Sequence, residues 1–184
     1  KDTYFMENKT ILKDKLEISR CGYTGEDGFE LYMDKDIGID ITNKLINLSF
    51  ENQNILFGGL IERDLLRIEA GLCLSGSEFG PDMEIPFKSM NLNFMIDPKY
   101  RKNKNLESKY ILSGFINDRP IRKGKLLNIY NDEIGFITSS NKSFNKDKFI
   151  GIGYVKRIAR NDILKEIKFC DLPFIQSKYY RKTI

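Results

Sequence analysis

Between residues 16 and 33 two short alternating runs flank a bend punctuated by glycine, and a chain patterned this way must pair those runs. Leu16 and Ile18 fall on one face of the first run, and Phe29, Leu31 and Met33 fall on one face of the second. Apolar side chains at a period of two mark half-buried strands. With Gly22, Gly25 and Gly28 between them, the segment reads as a β-hairpin with a glycine-rich loop. The same alternation fixes Glu30: it projects with Tyr32 away from the face that Phe29 and Leu31 seek, so its carboxylate turns toward solvent or a site.

Two helical periods follow. Ile41, Leu45 and Leu48 recur at helical spacing, with Asp40 placed to cap the start and Asn52 to Asn54 suited to the exit. After Gly58 and Gly59, the residues Leu60, Ile61, Asp64, Leu65 and Ile68 define a second amphipathic helix ending at Gly71, a natural residue just past a helix C-terminus. Arg63 and Arg67 then stand one turn apart and repel by about 0.2–0.5 kcal/mol. Either Glu62, Asp64 and Glu69 neutralise the pair, or an anionic or carbonyl-rich partner relieves it.

Pro81, Pro86 and Pro98 mark an irregular middle, and the lysine-rich stretch Lys99 to Lys104 reads as an exposed connection. Beyond it the runs Tyr110 to Phe115, Leu126 to Tyr130, Ile134 to Ser139, Phe149 to Val155 and Ile163 to Phe169 are β-rich, with Asn131-Asp132 as a hairpin tip. These runs predict a small antiparallel β-barrel or jelly roll. The fold class is therefore α+β: an antiparallel sheet with helices over residues 1–98, then an antiparallel barrel over residues 99–184.

Lys and Arg number 30 against 26 Asp and Glu, a net +4 spread along the chain, which argues against a nucleic-acid partner. The basic clusters at Lys99 to Lys104 and Lys178 to Lys182 read as a solvated loop and a chain end. Histidine is absent, so zinc and imidazole chemistry are not expected from these residues. Three cysteines without CxxC spacing suit a reducing compartment, and Cys73 reads as a small packed apolar residue rather than a nucleophile. No run of apolar residues is long enough to span a membrane, and no targeting segment is expected from Lys1 onward. Opening on Lys1 rather than Met suits a fragment.

Three stretches carry a resemblance. Ser19-Arg20-Cys21-Gly22-Tyr23-Thr24-Gly25-Glu26-Asp27-Gly28-Phe29-Glu30 comes first, and Arg63-Asp64-Leu65-Leu66-Arg67-Ile68-Glu69-Ala70-Gly71-Leu72-Cys73-Leu74 follows in order. The third is looser: Gly135-Phe136-Ile137-Thr138-Ser139, Ile152-Gly153-Tyr154-Val155, Pro173-Phe174 and Tyr179-Tyr180. Together they resemble the glycine cleavage T-protein (aminomethyltransferase) family over nearly the whole chain. Ser75 departs from it, because relatives commonly carry an aromatic residue after Leu-Cys-Leu.

The resemblance implies the end of the first T-protein domain up to residue 98, followed by the family's C-terminal barrel. It also implies tetrahydrofolate held among domains, with Glu30, Arg63 and Tyr179 as contacts and Tyr23 and Leu72 as lining. Chemistry suits these roles: a pterin edge offers adjacent N–H donors that a carboxylate accepts bidentately, and a guanidinium suits the pterin carbonyl or the glutamyl tail. For Tyr179, packing as a tail aromatic on the barrel is the competing reading, and Tyr180 is its competitor for the role. The family's catalytic aspartate would lie before Lys1, so no catalytic base is assigned. Implied partners are lipoylated H-protein and the other glycine cleavage components, in the mitochondrial matrix of a eukaryote or the cytoplasm of a bacterium. The alternatives are a non-catalytic folate-binding or H-protein-docking fragment, or a folate domain of a dimethylglycine or sarcosine dehydrogenase relative. The folate-binding iron–sulfur assembly family is disfavoured, since its Lys-Gly-Cys motif is replaced here by Glu69-Ala70-Gly71-Leu72-Cys73.

Overall fold

The computed structural model describes residues 3–11, 13, 15–81, 85, 87–90, 92, 99, 109–164 and 167–181. The expected boundary at Pro98, the proline at 86, most of the Lys99 to Lys104 stretch and Lys182 lie outside these residues. Packing divides the chain into two compact units, residues 1–66 with 176–184, and residues 67–175.

In the first unit β1 (Asn8–Ile11), β2 (Leu16–Ser19) and β3 (Glu30–Met33) form an antiparallel sheet in the order β1-β2-β3. Ser19 faces Glu30 and Leu16 faces Met33, so the hairpin forms in the register its alternation requires. Leu16 is buried, but Phe29 and Leu31 on the apolar side of β3 are 54% and 39% exposed.

Helix α1 (Lys35–Glu51) starts earlier than expected, with Asp34 rather than Asp40 at its N-cap. Gly38 N–H already donates to the Asp34 carbonyl at 2.9 Å, because nothing in Lys35–Ile39 forbids helical dihedrals and one glycine in a first turn costs little. The stripe is rotated as well: Ile37, Ile41 and Ile46 are half-buried, whereas Leu45 and Leu48 are 44% and 46% exposed. Asn52 closes the helix as expected.

Helix α2 (Leu60–Glu69) ends where the sequence placed its end. Gly71 sits at φ +68°, its N–H bonds the Ile68 carbonyl and the Leu72 N–H bonds the Arg67 carbonyl at 2.8 Å, a glycine-dependent helix stop.

The second unit is built on a five-stranded antiparallel sheet of order β5-β6-β7-β4-β8. Its strands are β4 (Tyr110–Asn117), β5 (Gly124–Leu127), β6 (Glu133–Ser143), β7 (Lys148–Lys156) and β8 (Lys168–Cys170). Four of the expected runs are recovered as strands and the fifth survives as the short β8, while β5 stops at Leu127 instead of Tyr130. Asn128 ends it: its side-chain oxygen accepts the N–H groups of Tyr130 and Asp132, turning the backbone away from the ladder.

Before β8, Leu164 pairs with Asn128 and the Ile129 N–H donates to the Ile163 carbonyl at 3.0 Å, so the chain entering one edge strand also meets the end of the other. Phe115, Ile121, Leu126, Ile134, Ile137, Val155, Ala159 and Leu164 form the core cluster on this sheet. Each large member contributes about 1.5–3 kcal/mol by burial. Cys73, Met90, Leu112 and Tyr154 make a second cluster, and burial pushes the Cys73 thiol up to about 12, as befits a packed apolar residue.

Candidate functional site

Glu30, Arg63, Tyr23 and Tyr179 belong to the first unit, and Leu72 belongs to the second. Glu30 opens β3 opposite Ser19, so Cys21, two residues beyond Ser19, and Tyr32, two beyond Glu30, share its face. Both donate to one oxygen: the Cys21 thiol reaches Glu30 Oε2 at 3.2 Å and the Tyr32 hydroxyl reaches it at 2.9 Å. Burial first, then the Glu30 contact, raises the Cys21 thiol, and the Glu30 hydrogen bond foremost raises the Tyr32 phenol. Both hydrogens are therefore in place at neutral pH.

Arg63 is exposed on α2, and its guanidinium lies 4.8 Å from the centroid of the Tyr23 ring. Two expected site residues are thus brought together by a cation–π contact. Glu30 and Arg63 form no ion pair with each other among the described residues. The glycine loop between β2 and β3 is braced by Arg20. Its Nε and Nη2 donate to the two Asp27 oxygens at 2.9 and 2.5 Å, and its Nη1 donates to the Thr3 carbonyl at 2.8 Å. This fork holds the Asp27 carboxyl below its usual range, with the Arg20 bond as the main cause.

The C-terminal segment docks on the same loop. Lys178 N–H donates to the Gly25 carbonyl at 2.8 Å, Phe5 N–H donates to the Tyr180 carbonyl at 2.8 Å, and Tyr180 lies under Arg20 with 4.2 Å from centroid to guanidinium. Tyr179 stacks on Phe5 at 4.1 Å between centroids. Its ring packs against the N-terminal residues of its own unit, and Tyr180 stacks separately on Tyr4.

In the second unit the turn carrying Leu72 is clamped. Arg67, 1% exposed, donates from Nη1 to Glu78 Oε2 at 2.7 Å and to the Leu72 carbonyl at 3.1 Å, and from Nη2 to Ser139 Oγ at 2.7 Å. Glu78, fully buried, also accepts from the Leu74 N–H, the Thr138 hydroxyl and the Ser139 hydroxyl at 2.8, 2.5 and 2.6 Å. The expected neutralisation of Arg67 by Glu62, Asp64 and Glu69 gives way to this buried pair. Glu69 instead accepts from Ser143 and Asn145, and Glu62 accepts the Gly59 N–H. Spacing along one helix cannot reveal a partner eleven residues on, in the following turn.

A cavity of about 450 Å³ in the second unit, walled by Gly114, Arg157, Arg160, Cys170 and Leu172 among others, includes none of the expected site residues. Among the described residues no three His, Cys, Asp or Glu side chains are grouped to hold a metal ion, and no helix is long and apolar enough to cross a membrane.

The two antiparallel sheets and two helices are consistent with a T-protein fold, as comparison with a solved structure shows. The solved glycine cleavage system aminomethyltransferase T of Bartonella henselae matches it with a TM-score of 0.80 over 98% of this chain and 55% of that one, at 23% identity. Residues 3–99 match the family model described as the GCVT N-terminal domain. The aminomethyltransferase of Thermosipho melanesiensis is 32% identical over 194 residues, covering 98% of this chain and 52% of that protein. A probable mitochondrial aminomethyltransferase of Schizosaccharomyces pombe is 30% identical over 190 residues, covering 91% and 48%. The chain belongs to the aminomethyltransferase family, and it spans about half the length of the curated relatives it matches.

Proposed function

We propose that this chain supplies the later half of a tetrahydrofolate-dependent aminomethyltransferase of the glycine cleavage system. The observation that carries the reading is the gathering of Glu30, Arg63, Tyr23 and Tyr179 on one compact unit, with Arg63 laid over Tyr23 and Glu30 on the polar side of its strand. The donors and acceptors there fit folate: a carboxylate for the N–H donors of the pterin edge, and a guanidinium for its carbonyl or for the glutamyl carboxylates. In this reading residues 1–98 end the folate-binding domain and residues 99–184 are the C-terminal barrel domain, whose last residues, 176–184, pack with residues 1–66. The Ile129–Ile163 bond and the Asn128–Leu164 bridge support closure of that barrel.

The reaction moves a methylene carbon from the aminomethyl-dihydrolipoyl arm of H-protein to folate. Two folate nitrogens form bonds to the carbon, its bonds to the amine nitrogen and the lipoyl sulfur break, and the two displaced folate protons leave on ammonia and on the thiol. Orienting the folate against the arm is the protein's main contribution, worth up to ~7–11 kcal/mol for a well-placed pair. The compartment is the mitochondrial matrix of a eukaryote, a reading supported by the word mitochondrial in the name of the Schizosaccharomyces pombe relative, or the cytoplasm of a bacterium.

A second reading is a non-catalytic folate-binding or H-protein-docking chain. Incubation of the gene's natural product with aminomethyl-loaded H-protein and tetrahydrofolate separates the two. Equimolar 5,10-methylenetetrahydrofolate and ammonia are expected. Folate binding without either product would leave only the second reading.

A further inference from the structure

A carboxylate oxygen has two acceptor directions. Oε2 of Glu30 receives two donors, Cys21 at 3.2 Å and Tyr32 at 2.9 Å, whereas no donor from the described residues reaches Oε1. The grip is built into the sheet. The cross-strand neighbour of Glu30 is Ser19, so alternation delivers Cys21 from one strand's exit and Tyr32 from the other strand onto the same face. We infer that Cys21 and Tyr32 are positioning residues of the ligand site: they fill Oε2 of Glu30 and hold its carboxylate so that Oε1 alone accepts the paired N–H donors of a pterin edge.

This inference rests on reading Glu30 as a folate contact, and it revises the two-oxygen grip that pterin chemistry by itself suggests. A carboxylate without these donors would rotate, spreading the ligand bond over several rotamers. Burial and then Glu30 raise the Cys21 thiol, and Glu30 foremost raises the Tyr32 phenol, so both keep the hydrogens they donate at neutral pH.

The test uses the protein as its gene encodes it, titrated with tetrahydrofolate in a calorimeter. The double variant Cys21→Ala/Tyr32→Phe is expected to weaken binding roughly tenfold, the scale of the two hydrogen bonds it removes. Cys21→Ser, which keeps an O–H donor, should stay closer to wild type than Cys21→Ala. A merely structural role would lower the melting temperature without this rescue. Wild-type affinity in the double variant overturns the inference; if Glu30→Ala also binds normally, the folate reading itself fails.

A readout independent of folate is the alkylation rate of Cys21 by iodoacetamide, followed by mass spectrometry. Removing the facing charge with Glu30→Gln should speed it severalfold, because thiolate forms more readily. An unchanged rate means the Cys21–Glu30 contact is absent, and the inference falls whatever folate does.

Discussion

Replacing Glu78 by Leu should destabilise the second unit by roughly 3–5 kcal/mol, the cost of removing one partner of a buried ion pair. Arg67 is 1% exposed and would lose the carboxylate to which Nη1 donates at 2.7 Å, while the Ser139 hydroxyl and the Leu72 carbonyl stay among its partners. Arginine cannot shed its proton to escape. Arg67→Met should cost less, since the Glu78 carboxylate retains the Leu74 N–H and the Thr138 and Ser139 hydroxyls. The double variant Arg67→Met/Glu78→Leu should recover most of the loss, because a buried pair replaced by apolar side chains of similar volume is often neutral. Urea unfolding followed by hydrogen exchange at β6 measures all three. A double variant as damaged as Glu78→Leu would contradict the account.

Alanine at Gly135 should be nearly as damaging. A Cβ there would lie 2.0 Å from the Tyr154 carbonyl oxygen and 2.9 Å from the Val155 Cα, and one at Gly153 would lie 2.2 Å from the Phe136 carbonyl oxygen. These are backbone atoms of the paired strands β6 and β7, so no side chain is available to swing aside. Alanine in a strand ordinarily gains about 0.5–1 kcal/mol over glycine by restricting the unfolded chain. Forcing the two strands apart should cost about 1–3 kcal/mol or more, so the clash decides the sign. Thermal melts by circular dichroism should show Gly135→Ala and Gly153→Ala both below wild type. An increase in melting temperature would mean the strands are not in this register.

Features written in local periodicity were legible in the sequence. Alternation gave the β2–β3 hairpin and the polar face of Glu30, and helical spacing with a terminal glycine gave α2 and its stop at Gly71. Clusters of β-formers between polar turns located four of the strands in the second unit. What escaped depends on contacts distant in sequence or on local competition. The start of helix α1 at Lys35 escaped because Asp34, Asp36 and Asp40 are all acidic candidates near it, and Asp34 makes no side-chain cap bond. Asn128 cuts β5 short by bonding its own turn, an effect that strand propensity ignores.

The candidate site divided the same way. The motif around Glu30 proposed a ligand carboxylate, and the hydrogen bonds that Cys21 and Tyr32 donate to it become visible only once the hairpin register is known. Arg67 looked like a twin of Arg63. Burial separates them, since one turn of helix carries Arg63 at the surface over Tyr23 and Arg67 into a fully bonded interior pair with Glu78.

The most direct measurement is calorimetric titration with tetrahydrofolate of the natural gene product and of its Glu30→Ala and Arg63→Ala variants. Each substitution should weaken binding by more than about 1 kcal/mol, as loss of a charged hydrogen bond does, with the folded state unchanged by circular dichroism. Affinities equal to wild type in both variants would contradict the assignment of this surface to folate.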